Sequence, residues 1–404
     1  MNHLHLWLTL PDGETARLGE LVFGTPRPNG TAPTAFRYAP EWLVRPGAFA
    51  LNPDPQSLPL DAREFQASHL APPLQVIDDA LPDDWGRRLI FAEHKLPLSR
   101  QTPYEIMRAV AGNGLGALSF ATDKQAPPRS DDAFDLAELI QAAADFEAGR
   151  PVEDAHLRRL CAAGGSPGGA RPKTRIAWQG QQWIAKFPSQ MRDSGHDVVG
   201  LEAVCLTLAA KAGLAVPDIQ LVDLGARRAL LVRRFDLAPQ GGRRHMITLK
   251  TLCREGAGRY ALSYDEPAEA IRKYSDDPDD LARFLRQTAF NAAIGNTDDH
   301  LKNFLLLRDT QGWRLSPAFD LVPDIGRNRE HTLAIGHSRE TPSGAELIAV
   351  GQRWLGNTAQ ARQIVQEVLE AANTFRTTAA QLAVAAQSVD FFAADIAARI
   401  KRLA

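Results

Sequence analysis

Apolar and polar residues alternate strictly at the start of the chain, with Leu4, Leu6, Leu8 and Leu10 on one side and His3, His5, Trp7 and Thr9 on the other. A period of two marks a half-buried strand. Pro11-Asp12-Gly13 adds turn chemistry, so the chain is predicted to open with a β-hairpin. His3 and His5 share the polar face; with no third ligand nearby in the sequence, they read as solvated strand residues rather than a metal pair. Residues 24–60, rich in Pro, Gly and Asn with Phe36, Tyr38 and Trp42 between them, predict short strands and loops.

The period then lengthens. Helical spacing of apolar residues covers 74–95 and 103–111, and GNGLGALSFA (112–121) returns to a strand after a glycine turn. The polar, proline-bearing stretch 123–133 reads as a linker. Helices are predicted at 134–148 and 153–163, a hairpin around Gln179-Gly180 at 174–189, and a helix at 197–213 that stops at Gly213. The strands IQLVDLG and RALLVRRFD follow, and from about 245 the pattern is helical to the end apart from 303–322.

Composition narrows the class. The hydrophobic share of 44% suits a large globular core, and 46 basic against 48 acidic residues argue against a dedicated nucleic-acid or membrane surface. Three scattered cysteines without CxxC spacing fit a reducing compartment, and no long apolar run or secretory leader is evident, so a cytoplasmic location is expected.

The chemistry gathers in GNTDDHLKNF (295–304). Phosphoryl transfer needs a base for the acceptor hydroxyl, oxygen ligands for magnesium, a cation on the nucleotide phosphates and closely approaching backbone N–H groups. Protein kinases supply the first two with an Asp, an Asn five residues on, and a second metal-binding Asp beyond a hairpin. Asp298, Asn303 and Asp320 repeat that spacing. The glycine-rich stretch GGSPGGARPK (164–173), with Gly168 and Gly169, suits close approach to oxyanions, and Lys173 follows it. Lys186 lies on the next strand, Glu202 is placed to pair with it, and the strand ending in Arg234 and Phe235 leads to a hinge for adenine. Taken singly, each has a plainer reading: a flexible glycine loop, a surface lysine, a first-turn acid, a capped loop. Their joint order points to kinase chemistry.

These segments, GGSPGGARPKT, WIAKFPS, IGNTDDHLKNF and LSPAFDLVP, resemble the signature segments of the HipA family, the serine/threonine protein kinases that act as toxins in bacterial toxin–antitoxin systems. FRYAPEWL, SLPL and DALPDDWGRRLI resemble the small domain that precedes the kinase in full-length members. The resemblance implies an α+β fold: a protein-kinase-like two-lobe body, a small β-rich N-terminal domain over 1–122, an N-lobe over 123–236 and a helical C-lobe over 237–404. It implies ATP and magnesium as cofactors, Asp298 as base, Asn303 and Asp320 as metal ligands and Lys186 on the phosphates. His300 and Lys302 complete the loop motif, with His300 structural rather than proton-transferring. Ser166 matches the serine that members autophosphorylate, although Pro167 and Pro172 stiffen this loop. The implied partners are a helix-turn-helix antitoxin, through which alone nucleic acid is met, and a protein substrate such as an aminoacyl-tRNA synthetase; no membrane is involved. A small-molecule phosphotransferase of similar fold, or a silent nucleotide- or antitoxin-binding module, is the alternative.

Overall fold

The computed structural model describes residues 2–27, 31–128, 136–162, 171–225, 227–256 and 258–404. The chain folds into two compact units that are discontinuous in sequence: 1–184 with 234–259 and 306–312, and 185–233 with 260–305 and 313–404. No helix among the described residues is long and apolar enough to cross a membrane.

The first unit is built on a five-stranded antiparallel sheet of order β4-β3-β2-β1-β5, with β1 Asn2–Thr9, β2 Thr15–Phe23, β3 Pro33–Tyr38, β4 Phe65–Ser68 and β5 Leu118–Ala121. Leu4, Leu6 and Leu8 are fully buried, as the alternation requires. At the turn Gly13 takes φ +91°, a conformation that glycine adopts at least cost. The opposite face is less solvated than its polar residues suggest, since His5 and Thr9 are also buried. A register shift between Leu6 and Trp7 interrupts the β1–β2 ladder, and Glu20 pairs across from His5. Glu20 is the third donor that sequence distance concealed: its carboxylate lies 3.4 Å from His3 Nε2 and 3.5 Å from His5 Nδ1. The Arg17 guanidinium already sits on that carboxylate and on His5 Nδ1, so a cation is provided by the chain itself.

The continuous helical period over 74–95 resolves into two helices, Gln75–Asp78 and Asp84–Glu93. Pro82 cannot donate within a helix, and Asp83 caps the second one by accepting from the Gly86 N–H at 2.9 Å. Helices Leu136–Glu147 and Asp154–Ala162 follow, then β6 Lys173–Trp178 and β7 Gln181–Lys186, joined by Gln179 and Gly180, both with φ near +50 to +74° as a two-residue hairpin turn demands.

His245 lies in β10, His245–Thr248, where its Nε2–H donates to the Leu51 carbonyl at 2.9 Å. Burial, reinforced by Arg308, pushes its pKa from 6.5 down to about 4, against the raising effect of the Leu51 carbonyl. A histidine that must stay neutral when folded supports stability above its unfolded pKa and withdraws that support as pH falls. The first unit is therefore expected to lose about 3 kcal/mol between pH 6.5 and 4 through this group. Urea midpoints measured across that range should flatten in His245→Gln; equal slopes in both proteins would refute the assignment.

In the second unit the helix Val198–Lys211 is buried over almost its whole circumference and capped by Asp197, which accepts from the Gly200 N–H at 2.9 Å. The strands β8 Ile219–Leu224 and β9 Arg227–Arg233 pair antiparallel. Helices Asp265–Tyr274, Asp280–Ile294, Gly344–Leu355, Thr358–Ala372, Phe375–Gln381 and Ala386–Leu403 make up its helical mass. In chain order β11 Leu305–Asp309 and β12 Gly312–Leu315 follow Asp280–Ile294, with 306–312 counted in the first unit; the second unit also holds an element absent from the sequence reading, the hairpin β13 Glu330–Ile335 with β14 Ser338–Glu340. His331, Leu333 and Ile335 are buried on alternate positions, a strand period of only a few residues within a helical stretch.

Candidate active site

The site starts at a helix end. Asp280–Ile294 terminates at Gly295, whose φ of +72° and N–H to the Asn291 carbonyl form a left-handed C-cap. A Cβ here would come within 2.8 Å of Arg399 Nε, which reserves the position for glycine. The loop then passes through one 3₁₀ turn, Leu301–Asn303, into β11. Leu301 and Phe304 are buried, and the Phe304 ring packs edge-on against Phe284 at 5.3 Å, so apolar anchors hold both ends of the turn.

Neighbouring acids in this loop face opposite environments. The Asp298 side chain is 71% exposed, 3.7 Å from His300 Nε2, and the Asp299 side chain is fully buried. Asn303 is oriented by its own amide, whose Nδ2–H donates to the Asp298 carbonyl at 3.0 Å, while its buried Oδ1 has no hydrogen-bond partner. Lys302 projects into solvent.

Asp320 is brought alongside by the backbone. The Ser316 N–H donates to the Leu305 carbonyl and the Asp324 N–H to the Gly295 carbonyl, both at 2.9 Å, so the segments 296–304 and 317–323 span the same two anchor points. Asp320 takes φ +56°, a left-handed conformation uncommon outside glycine and characteristic of functional loops. Its Oδ1 accepts from Lys186 Nζ at 2.7 Å, and Glu202 Oε1 accepts from the same ammonium at 2.5 Å. Burial alone would lower the Lys186 pKa, but the Asp320 and Glu202 carboxylates outweigh it and carry it above its ordinary value, so the lysine stays charged.

Two of these observations bear on a metal. An orphaned, buried amide oxygen on Asn303 costs free energy unless something completes it, and an amide oxygen together with the carboxylate of Asp320, on the segment anchored alongside, is the hard, all-oxygen donor type that magnesium takes. The residues present fit that ion.

The other positions named from sequence fall in the first unit. Lys173 is buried with Nζ 2.7 Å from Asp83 Oδ2, and its carbonyl accepts from Trp85 Nε1 at 3.1 Å. Arg234 is buried in a two-point pair with Asp236, at 2.7 and 3.0 Å, and the Phe235 carbonyl accepts from Arg244 Nη1 at 2.7 Å. Asp236 also accepts from the Gly116 N–H at 2.8 Å. These contacts give Lys173 and Arg234 structural partners of their own. Ser166, Gly168 and Gly169 lie outside the described residues.

Asp299 was missed by sequence reasoning. Its Oδ2 accepts from the Tyr264 hydroxyl at 2.5 Å and from His331 Nδ1–H at 2.9 Å, and its Oδ1 from the Thr332 N–H at 2.7 Å. Asn291 Nδ2–H donates to the Tyr264 oxygen at 3.3 Å, extending the network into the helix before the loop.

A bound-lysine pair, an oxygen-rich loop and an α+β body of this kind define a kinase-type phosphotransferase. Comparison with known proteins agrees. Residues 15–121 match the HipA N-terminal domain and residues 165–375 the HipA-like C-terminal domain. The chain belongs to the HipA family and is a serine/threonine protein kinase of that family. A Sinorhizobium fredii protein described as a kinase is 32% identical over 174 residues, covering 40% of this chain and 42% of that relative. The serine/threonine-protein kinase toxin HipA of Shewanella oneidensis is 25% identical over 357 residues, 79% of this chain and 77% of that one. The solved structure of HipA from the same organism, in complex with HipB and operator DNA, shares the fold with a TM-score of 0.68 at 20% identity, over 98% of this chain and 96% of that chain.

Proposed function

We propose that the chain transfers the γ-phosphoryl group of ATP to a serine or threonine hydroxyl of a protein concerned with translation, such as an aminoacyl-tRNA synthetase. The observation that carries the reading is the Lys186 ammonium held between Glu202 and Asp320, beside a loop that exposes Asp298. Asp298 accepts the proton of the acceptor hydroxyl as it attacks; its solvent exposure leaves room for an incoming protein. Lys186 steadies the nucleotide phosphates, and Glu202 fixes its ammonium. Asn303 and Asp320 hold magnesium, which when bound neutralises charge on the transferring phosphate. His300 and Lys302 shape the loop around Asp298.

The segments 1–122, 123–236 and 237–404 serve as the small domain, N-lobe and C-lobe in this reading. The HipB and operator DNA bound to the Shewanella oneidensis protein support a helix-turn-helix antitoxin as partner here, with DNA met through it. Incubation of the purified protein with radiolabelled ATP and cell extract tests the reading. Label on a discrete protein band is expected, and label confined to a metabolite would favour a small-molecule phosphotransferase.

Ser166 is proposed as an autophosphorylation site. A phosphate there adds roughly −1.5 to −2 charges where nucleotide phosphates bind, so repulsion disfavours ATP. Mass spectrometry should find the phosphate on Ser166 of the wild-type protein and none in Asp298→Asn. The modification on both would mean that another kinase installs it.

A further inference from the structure

The side chains of Asp298 and Asp299 leave adjacent backbone positions in opposite directions, one to solvent and one into the core. Something must enforce that split, because a two-residue polar loop segment has no preference of its own. The buried carboxylate has three donors from two separate elements: the Tyr264 hydroxyl from just before a helix, and His331 Nδ1–H and the Thr332 N–H from β13. The backbone repeats the grip, with the Thr332 N–H and Oγ1–H both reaching the Thr297 carbonyl at 3.2 and 3.1 Å. The segment 262–264 is pinned to β13 in turn, since the Tyr264 N–H donates to the Ala334 carbonyl and the Ala334 N–H to the Leu262 carbonyl, both at 3.0 Å. Because His331 spends Nδ1–H on Asp299, its Nε2 is left buried with no hydrogen-bond partner. That arrangement costs free energy for folding alone, and it is explained if the ring is there to hold the carboxylate.

We propose that Asp299 is a positioning residue for phosphoryl transfer: gripped by Tyr264, His331 and Thr332, it fixes the turn of the loop so that Asp298 projects outward and the Asp298 carbonyl meets the Asn303 amide. The sites touched by substrate stay Asp298 and Asn303, and the network acts through them. It rests on the reading of Asp298 as the base. Lys186 is held by Glu202 and Asp320, and the network by Tyr264, His331 and Thr332, so loss of the network costs the chemical step and spares ATP binding.

The test uses the full chain. Asp299→Asn keeps one acceptor oxygen and turns its amide NH2 against the donor or donors on the other oxygen, and His331→Leu removes one donor; His331→Asn can return a donor where Nδ1 stood. ATP turnover should fall about 10–100-fold in Asp299→Asn and about 10-fold in His331→Leu, and recover to within about threefold in His331→Asn, because misplacing a reacting group by about 1 Å costs about that much. ATP should still bind at one per chain with an affinity within about twofold of wild type. Amide hydrogen exchange over 297–303 gives a readout independent of turnover, and should speed up in Asp299→Asn and His331→Leu while remaining unchanged in Asp298→Asn. The proposal is overturned if exchange in this loop is unaltered, or if turnover falls only in step with the fraction of chains that bind ATP. Failure of the kinase reading is distinct, showing as turnover in Asp298→Asn equal to wild type.

Discussion

Replacing Asp298 by asparagine is expected to lower phosphoryl transfer about 10²–10⁴-fold, the range that a positioned general base contributes. Folding should be almost untouched. The Asp298 side chain is 71% exposed and the fold around it is fixed by Asp299, Leu301 and Phe304, so the substitution should change stability by less than about 0.5 kcal/mol. ATP affinity should also hold, since Lys186 with Glu202 and Asp320 is intact. The measurement is a single set of initial rates, ATP-binding isotherms and urea midpoints on both proteins. Retained turnover would remove Asp298 from the mechanism, and a large drop in the midpoint would mean that the loss reflects folding rather than chemistry.

The second large effect is expected at Asp320. Asparagine tolerates left-handed backbone better than other non-glycine residues, so Asp320→Asn preserves the φ of +56° while removing the charge. Alanine would add backbone strain and blur the result. A neutral amide holds a hard cation poorly, so the magnesium concentration for half-maximal rate should rise about tenfold or more. The same change takes one carboxylate from Lys186 and leaves Glu202 to neutralise it, at a stability cost of about 1–3 kcal/mol. Rate measured against magnesium concentration separates the two effects, because saturating metal restores the rate and leaves the stability loss in place. An unchanged magnesium curve would take Asp320 out of the metal site.

The legible part of this protein was local. Asp298, Asn303 and Asp320 declare themselves by spacing within and around one hairpin, and Lys186 and Glu202 sit on consecutive elements whose boundaries the periodicity marks well. The structure joins Lys186 to both Glu202 and Asp320. What sequence could not give was the partner set of a buried charge. Asp299 looks like a duplicate of Asp298, and its donors stand 35, 32 and 33 residues away, two of them on a hairpin hidden in a stretch that reads as helix. The same blindness applied to Glu20, which only strand register sets opposite His5. Lys173 and Arg234 illustrate the reverse difficulty. A cation beside a glycine loop or a hinge reads as ligand-binding, and the structure gives each a carboxylate partner: Asp83, far from Lys173 in sequence, and Asp236, two residues beyond Arg234.

The most direct test of phosphoryl transfer from the Asp298 loop to a protein is quantitative phosphoproteomics on cells expressing the wild-type chain or Asp298→Asn at matched levels. The account predicts a small set of serine or threonine sites phosphorylated with the wild-type chain alone. Indistinguishable phosphoproteomes from the two would contradict it.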